Sequence, residues 1–180
     1  MLLSSERSVL IVVDVQERLM PAVADGERVV GNVAVLQKAA AALSVPVLLT
    51  EQYPKGLGPT VAAVREAVPP DSVFEKITFS SAGAPAFMDR LGALKRPQVV
   101  LAGAEAHVCV LQTALALTAA GYAVFLVADA TASRVPANVE LAVARMRAAG
   151  VTIVSTEMVV FEWLERAGTP TFKSLIGVIK

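Results

Sequence analysis

The chain has 180 residues, enough for one substantial core and too few for two ordinary domains. Hydrophobic residues make up 55% of it, and 16 Lys and Arg balance 16 Asp and Glu, which excludes a disordered chain and argues against charge-driven binding to nucleic acid or a membrane surface. One cysteine, Cys109, excludes an internal disulfide framework and suits a reducing, cytoplasmic setting, and one histidine, His107, excludes a His-rich zinc site.

The first seven residues do not read as a signal peptide, because the apolar part is too short and charges follow at once. An uninterrupted apolar strand over 8–13 ends at Asp14, with Gln16 two residues on. Residues 27–43 read as a helix with Val29, Val33, Leu36, Ala40 and Leu43 on one face. A strand over 45–50 precedes Glu51 and Gln52; a short helix over 59–68 follows, then a short strand over 72–77 that carries Lys76. Residues 85–94 read as a helix and 98–102 as a strand. A helix over 108–120 is stopped by Gly121, and a strand over 123–127 follows. The uncharged stretch 106–128 is long enough to span a membrane, but Gln112, Thr113, Thr118 and Gly121 break it into a helix, a stop and a buried strand. The turn-rich segment 129–134 leads to a helix over 136–149 with proline at its start and Gly150 after it. A last strand over 151–155 and two short helices over 158–166 and 172–179 finish the chain.

Strands apolar on both faces, alternating with helices, predict one α/β domain over residues 1–180. Its architecture is a three-layer α/β/α sandwich around a mostly parallel sheet of about six strands. Ligands in such sheets sit at the carboxyl ends of the strands. Asp14, Glu51, Gln52, Lys76, Glu105, His107, Cys109 and Asp129 all fall at or just after strand ends, so the polar groups are expected on one edge.

Cys109 lies where a strand gives way to a helix, and helix amides and the macrodipole there favour a thiolate. Asp14 is placed to take a thiol proton, or else to cap a turn or pair with a lysine. Lys76, between Phe74 and Ile77, has the most apolar setting of any lysine; it either holds a carboxylate and a thiolate in register or snorkels to water. His107 is a candidate base by analogy with Cys-His dyads, and equally a pocket wall or a local structural bond. Ser133 and Arg134 read first as part of a capping loop and secondarily as substrate contacts. Gly56-Leu57-Gly58 matches neither GxGxxG nor GxxxxGK[ST], so nucleotide binding has little support.

Taken together, Asp14-Val15-Gln16, residues 50–58, Phe74-Glu75-Lys76, residues 103–110, Ala128-Asp129-Ala130 and Arg145-Met146 resemble the isochorismatase-like cysteine hydrolase superfamily, which includes nicotinamidases. The ordered match runs from about Ser8 to Phe161 and looks closest to the isochorismatase domain-containing branch. The resemblance implies a triad of Asp14 as general base, Lys76 as electrostatic support and Cys109 as nucleophile. It also implies a cis peptide at Ala104–Glu105, with the backbone amides of Glu105 and Cys109 forming an oxyanion hole. Metal-binding nicotinamidases carry an Asp-x-His cluster after the second strand; here Glu51-Gln52-Tyr53 stands there with no second histidine, which implies a site without metal or cofactor.

The expectation is therefore a metal-independent cysteine hydrolase that cleaves a small amide-type C–N bond through an acyl-enzyme on Cys109. Gln16, Tyr53, Phe79, His107 and Val108 are the expected substrate contacts. The partners expected are a small molecule and further copies of the chain, as a dimer or higher homo-oligomer, with no nucleic acid and no membrane. The alternatives are an isochorismatase-type ether hydrolase and a non-catalytic binding or assembly subunit.

Overall fold

A computed structural model describes residues 1–179; Lys180, which the single-domain reading included, lies outside the described residues. Its centre is a six-stranded sheet in the order β3-β2-β1-β4-β5-β6, with every neighbouring pair parallel. The strands are β1 (Ser8–Val13), β2 (Val47–Gln52), β3 (Val73–Lys76), β4 (Gln98–Ala104), β5 (Ala123–Ala132) and β6 (Thr152–Val154). The helices are α1 (Gly26–Ala42), α2 (Pro54–Leu57), α3 (Ala62–Arg65), α4 (Pro85–Ala93), α5 (Leu111–Ala119), α6 (Pro136–Ala148), α7 (Thr156–Leu164) and α8 (Pro170–Ile179).

All six residues of β1 and all seven of β4 are buried, because side chains on both faces of these strands meet helices. Leu10, Val12 and Val100 pack under α1 and α7 together with Val29, Val33, Leu36, Val159 and Trp163. Val9, Ile11, Val99 and Leu101 pack on the opposite face with Phe87, Leu91, Leu117 and Met146. The α/β/α expectation holds, and the sheet is fully parallel.

The local expectations differ from the structure in three informative places. The segment expected to be a helix over 59–68 is helical only at α3; before it, Thr60 bridges to Gln16 and the Val61 amide donates to the Val15 carbonyl, so tertiary pairing overrides the helical pattern. The strand expected to end at residue 127 continues to Ala132. The chain bulges between residues 126 and 131, Thr131 Oγ1 donates to the Val127 carbonyl at 2.9 Å, and β5 then rejoins β4. The helix expected from 108 begins as a π-turn over Ala106–Val110 and becomes α-helical only at Leu111. The last helix folds back on the chain: α8 packs against α1 and α7 and buries Leu175.

The strand order reverses between β1 and β4, whose carboxyl ends therefore open the crevice of the sheet. At that crevice Gly103 has φ +120, and a Cβ there would lie 2.0 Å from the Val13 carbonyl oxygen. Only glycine lets β4 run this close to β1 at the end where the two strands deliver Glu105, Cys109 and Asp14.

Candidate active site

Asp14 leaves β1 in the left-handed region, φ +52, its amide still bonded to the Thr50 carbonyl of β2. Aspartate tolerates this conformation better than most residues, and here it turns the carboxylate into the crevice. That carboxylate is fully buried and engaged on both oxygens. Thr50 Oγ1 donates to Oδ1 at 2.7 Å, and Lys76 Nζ donates to Oδ2 at 2.7 Å.

Lys76 arrives from the carboxyl end of β3, two strands away, with its side chain completely buried. Besides Asp14, its ammonium faces Gln52 Oε1 at 2.8 Å, the Phe79 carbonyl at 3.0 Å and the Thr78 carbonyl at 3.3 Å. Four acceptors surround its three N–H donors, so the ammonium is fully solvated by the protein. The lysine does not snorkel.

Cys109 shares a cavity of about 110 Å³ with Asp14, Gln52 and Glu105; its walls are Leu19, Leu57, Phe79 and Val108. The thiol is buried, and its pKa is pushed up from 9.0 to about 12. Burial is the largest cause, the Asp14 carboxylate adds to it, and Lys76 opposes it. This corrects the expectation of a resting thiolate. Cys109 sits within a π-turn, ahead of α5 and beside a carboxylate, and there the protonated form wins.

The π-turn has a second consequence. The Glu105 carbonyl accepts the Val108 and Val110 amides but not the Cys109 amide between them, and no described residue accepts the Glu105 N–H. The Ala104–Glu105 peptide bond is cis. The Glu105 side chain turns away to Arg134, accepting its amide at 2.8 Å and its Nε at 3.0 Å. Burial pushes this carboxyl's pKa up, but the Arg134 hydrogen bonds and charge outweigh it and hold it below the ordinary value.

Of the expected substrate contacts, Phe79 and Val108 line the cavity and three others do not. Gln16 lies behind it, fully buried, donating to the carbonyls of Gln52 and Gly58 and accepting the Gln52 amide. Tyr53 is half exposed, its ring laid against Gly56. His107 Nδ1 pairs with the buried Ser133 Oγ at 3.0 Å, tying the π-turn to the segment after β5, and the ring does not line the cavity. Glu51 and Asp129, expected on the same edge, are also engaged elsewhere. Glu51 accepts the Thr60 amide and hydroxyl, and Asp129 accepts the Thr156 amide and hydroxyl. Arg134 holds Glu105, and that contact replaces the capping role its loop suggested.

Several site residues carried no signal beyond their position. Leu19 comes from a loop and Leu57 from the one-turn helix α2, neither with a periodicity to read, and Gln52 stands at the strand end with no role assigned. Thr50, Ser81 and Thr113 form a hydrogen-bonded chain behind Asp14, with Thr113 donating to Ser81 at 3.2 Å and Ser81 to Thr50 at 3.5 Å. Among the described residues no three His, Cys, Asp or Glu side chains cluster as metal ligands. At the position of the nicotinamidase metal cluster, Glu51 and Gln52 are held by Thr60 and Lys76, so these residues do not fit a metal.

Residues 8–158 match the Isochorismatase domain family. Over 177 residues the chain is 38% identical to isochorismatase domain-containing protein 2A of Mus musculus, covering 97% of this chain and 84% of the mouse protein. The structure of MAR1 ribonuclease from Caenorhabditis elegans superposes with a TM-score of 0.93 at 34% identity, covering 99% of this chain and 92% of the nematode chain. YcaC from Pseudomonas aeruginosa, solved with hexane-2,5-diol and covalent acrylamide, superposes with a TM-score of 0.92 at 26% identity, covering 98% of this chain and 91% of that one. Sequence match along nearly the whole chain, the parallel sheet and its superposition on these neighbours agree: the chain belongs to the isochorismatase-like hydrolase family.

Proposed function

We propose that this chain is a metal-independent cysteine hydrolase of small, uncharged amides, with Asp14, Lys76 and Cys109 as its triad. The observation that carries the reading is the fully buried Asp14–Lys76 pair opening onto the same cavity as the only thiol. Asp14 takes the Cys109 proton as sulfur bonds to the carbonyl carbon, so no free thiolate need accumulate. Lys76 keeps the carboxylate in register and offsets the negative charge growing on sulfur. The oxyanion is received by the Glu105 and Cys109 amides; one such donor contributes roughly 3–4 kcal/mol. Asp14 returns the proton to the departing nitrogen, the C–N bond breaks, and an acyl thioester remains on Cys109. Water, deprotonated by Asp14, then adds to the thioester and releases the acid and the thiol.

The cavity supports the substrate class. Its volume of about 110 Å³ is below the roughly 150 Å³ that encloses a benzene, so a small acyl group suits it best. Its walls are mostly apolar, and the charges beside it are already engaged by Lys76 and Arg134, so a charged substituent has no partner. The chain is read as working without a cofactor, in the cytoplasm, as a homo-oligomer. Exposed Met158 and Phe161 on α7 and Leu141 on α6 supply apolar surface for assembly. No described helix is long and apolar enough to cross a membrane.

The test is mass spectrometry of the protein during turnover of short aliphatic amides. An acyl mass on Cys109 that disappears in Cys109→Ala, together with turnover, is the expected result. Turnover that survives in Cys109→Ala would overturn the covalent mechanism and favour direct attack by water activated by Asp14. The name of the nematode neighbour makes RNA the necessary control substrate, and RNA cleavage abolished by Cys109→Ala would overturn the small-amide reading.

A further inference from the structure

The turn that carries the nucleophile does not close as an α-helix. In an α-helix the Cys109 amide, four residues on, would donate to the Glu105 carbonyl. Here that carbonyl accepts the Val108 and Val110 amides instead, at 3.1 and 3.2 Å, and the Cys109 N–H between them is left over. One of the two oxyanion donors is therefore free only while the π-turn stays open. A single π-turn is an uncommon geometry, and contacts from outside must favour it over the α-helical alternative.

Two side chains of the turn reach across to the same two residues after β5. Glu105 Oε2 accepts the Arg134 amide at 2.8 Å and Arg134 Nε at 3.0 Å, and His107 Nδ1 pairs with Ser133 Oγ at 3.0 Å. Glu105 is 7% exposed and Ser133 fully buried, so both ties are shielded from water. The Arg134 side chain is 61% exposed, which leaves its backbone amide as the firmer half of the first tie. The bulge in β5 sets the reach. Beyond it Thr131 pairs with Gly103 and Ala132 with Ala104, so Ser133 and Arg134 emerge alongside Glu105. Ser133 is anchored in turn, because its carbonyl accepts the Ala24 amide at 3.1 Å.

We propose that Glu105 (through its side chain), His107 and Ser133 are positioning residues that hold the π-turn open and so keep the Cys109 amide free for the oxyanion. The inference rests on the oxyanion hole of the proposed function. Releasing a tie allows the turn to tighten toward an α-helix. The Cys109 amide then bonds the Glu105 carbonyl, and the thiol remains in its cavity with one donor fewer. His107 and Ser133 do not line that cavity, so they act only through the turn.

The test compares two reactions of Cys109 in the full-length protein, each followed by mass spectrometry. p-Nitrophenyl acetate acylates the thiol through an oxyanion, whereas iodoacetamide alkylates it by displacement and forms none. Glu105→Ala should slow acylation at least ~10-fold, part of the roughly 10²–10³-fold that a whole donor supplies, and leave alkylation at the wild-type rate. Glu105→Gln, whose amide oxygen still accepts the Arg134 amide, should recover most of that loss. His107→Ala and Ser133→Ala should each slow acylation about threefold, and the double variant no further, because the same bond is lost in all three. His107 is half-buried and its removal leaves the Glu105 tie, so that variant carries the test should Glu105→Ala fail to fold. Acylation and alkylation slowed in parallel, acylation unchanged in every variant, or Glu105→Gln as slow as Glu105→Ala would each overturn the proposal. Wild type acylated by the ester yet inactive on propionamide would sink the amide reading and leave this comparison intact; wild type that the ester does not acylate would overturn both.

Discussion

Asp14 and Asp129 look alike in sequence, each following a run of apolar strand residues, and the fold gives them opposite fates. Asp14 is fully buried, bonded to Thr50 and paired with a lysine from two strands away. Asp129 lies in the bulge of β5 and accepts the Thr156 amide and hydroxyl at the start of α7. The difference is where the partners come from. The partners of Asp129 are neutral donors at the end of a neighbouring helix, and a carboxylate at a helix start is a common structural device. Asp14 has a charged partner that the sheet order brings to the reversal point, beside a thiol. A carboxylate there is held by a charge beside a thiol, and one at a helix start is held by neutral donors.

Removing the thiol tests the Asp14 side of that contrast most severely. Cys109→Ala should cost three orders of magnitude or more, roughly, in turnover of any amide the wild type cleaves, with circular dichroism and thermal midpoint little changed. Asp14→Asn should cost about 10²–10⁴-fold, the usual range for general-base loss. It should also have an effect of opposite sign on the resting thiol. The carboxylate raises the Cys109 pKa, so an uncharged amide in its place leaves Lys76 unopposed and the pKa falls from about 12. With its pKa raised, the wild-type thiol should be labelled slowly by iodoacetamide at pH 8, with a rate that keeps rising through pH 9. Asp14→Asn should label faster at pH 8 while turning over more slowly. Equal labelling of variant and wild type would show that Asp14 does not act on the thiol.

Lys76→Met is next in size and is read as stability. It leaves the Asp14 carboxylate buried with only Thr50 beside it, and breaking a buried pair this way costs about 3–5 kcal/mol. The double variant Lys76→Met with Asp14→Asn should recover part of that loss, because no buried charge then lacks a partner. Denaturant midpoints measure both. A double variant as unstable as the sum of the two single changes would show that the pair is not coupled.

The layers, the strand count and the three residues at the crevice were legible because each rests on a local pattern. β1 and β4 are continuous apolar runs, and Asp14, Lys76 and Cys109 end or follow strands. Which polar residues would share the cavity was not legible, since the strand-end rule names an edge and says nothing of side-chain direction. Glu51 and Gln52 are adjacent on β2, and the strand alternation sends Glu51 to Thr60 and Gln52 to Lys76. His107 looked chemical beside Cys109, but the π-turn points it at Ser133. The thiol's protonation was not legible either, because burial and the Asp14 carboxylate, which raise its pKa, are brought to it by the fold.

The smallest predicted effect tests the structural side of the contrast. Asp129→Ala removes the acceptor of the Thr156 amide and hydroxyl and leaves backbone contacts in place, since Arg28 and Asn32 donate to the Asp129 carbonyl. Ser155 still caps α7 through its bond from the Met158 amide, so only one of the free amides at that helix end loses its partner. The cost should be about 1 kcal/mol in denaturant unfolding, the usual value of a lost cap. Turnover and iodoacetamide labelling of Cys109 should match the wild type. A loss of activity larger than the loss of folded protein would mean that β5 transmits to the crevice through its pairing of Gly103 with Thr131, and the two aspartates would then belong to one functional unit.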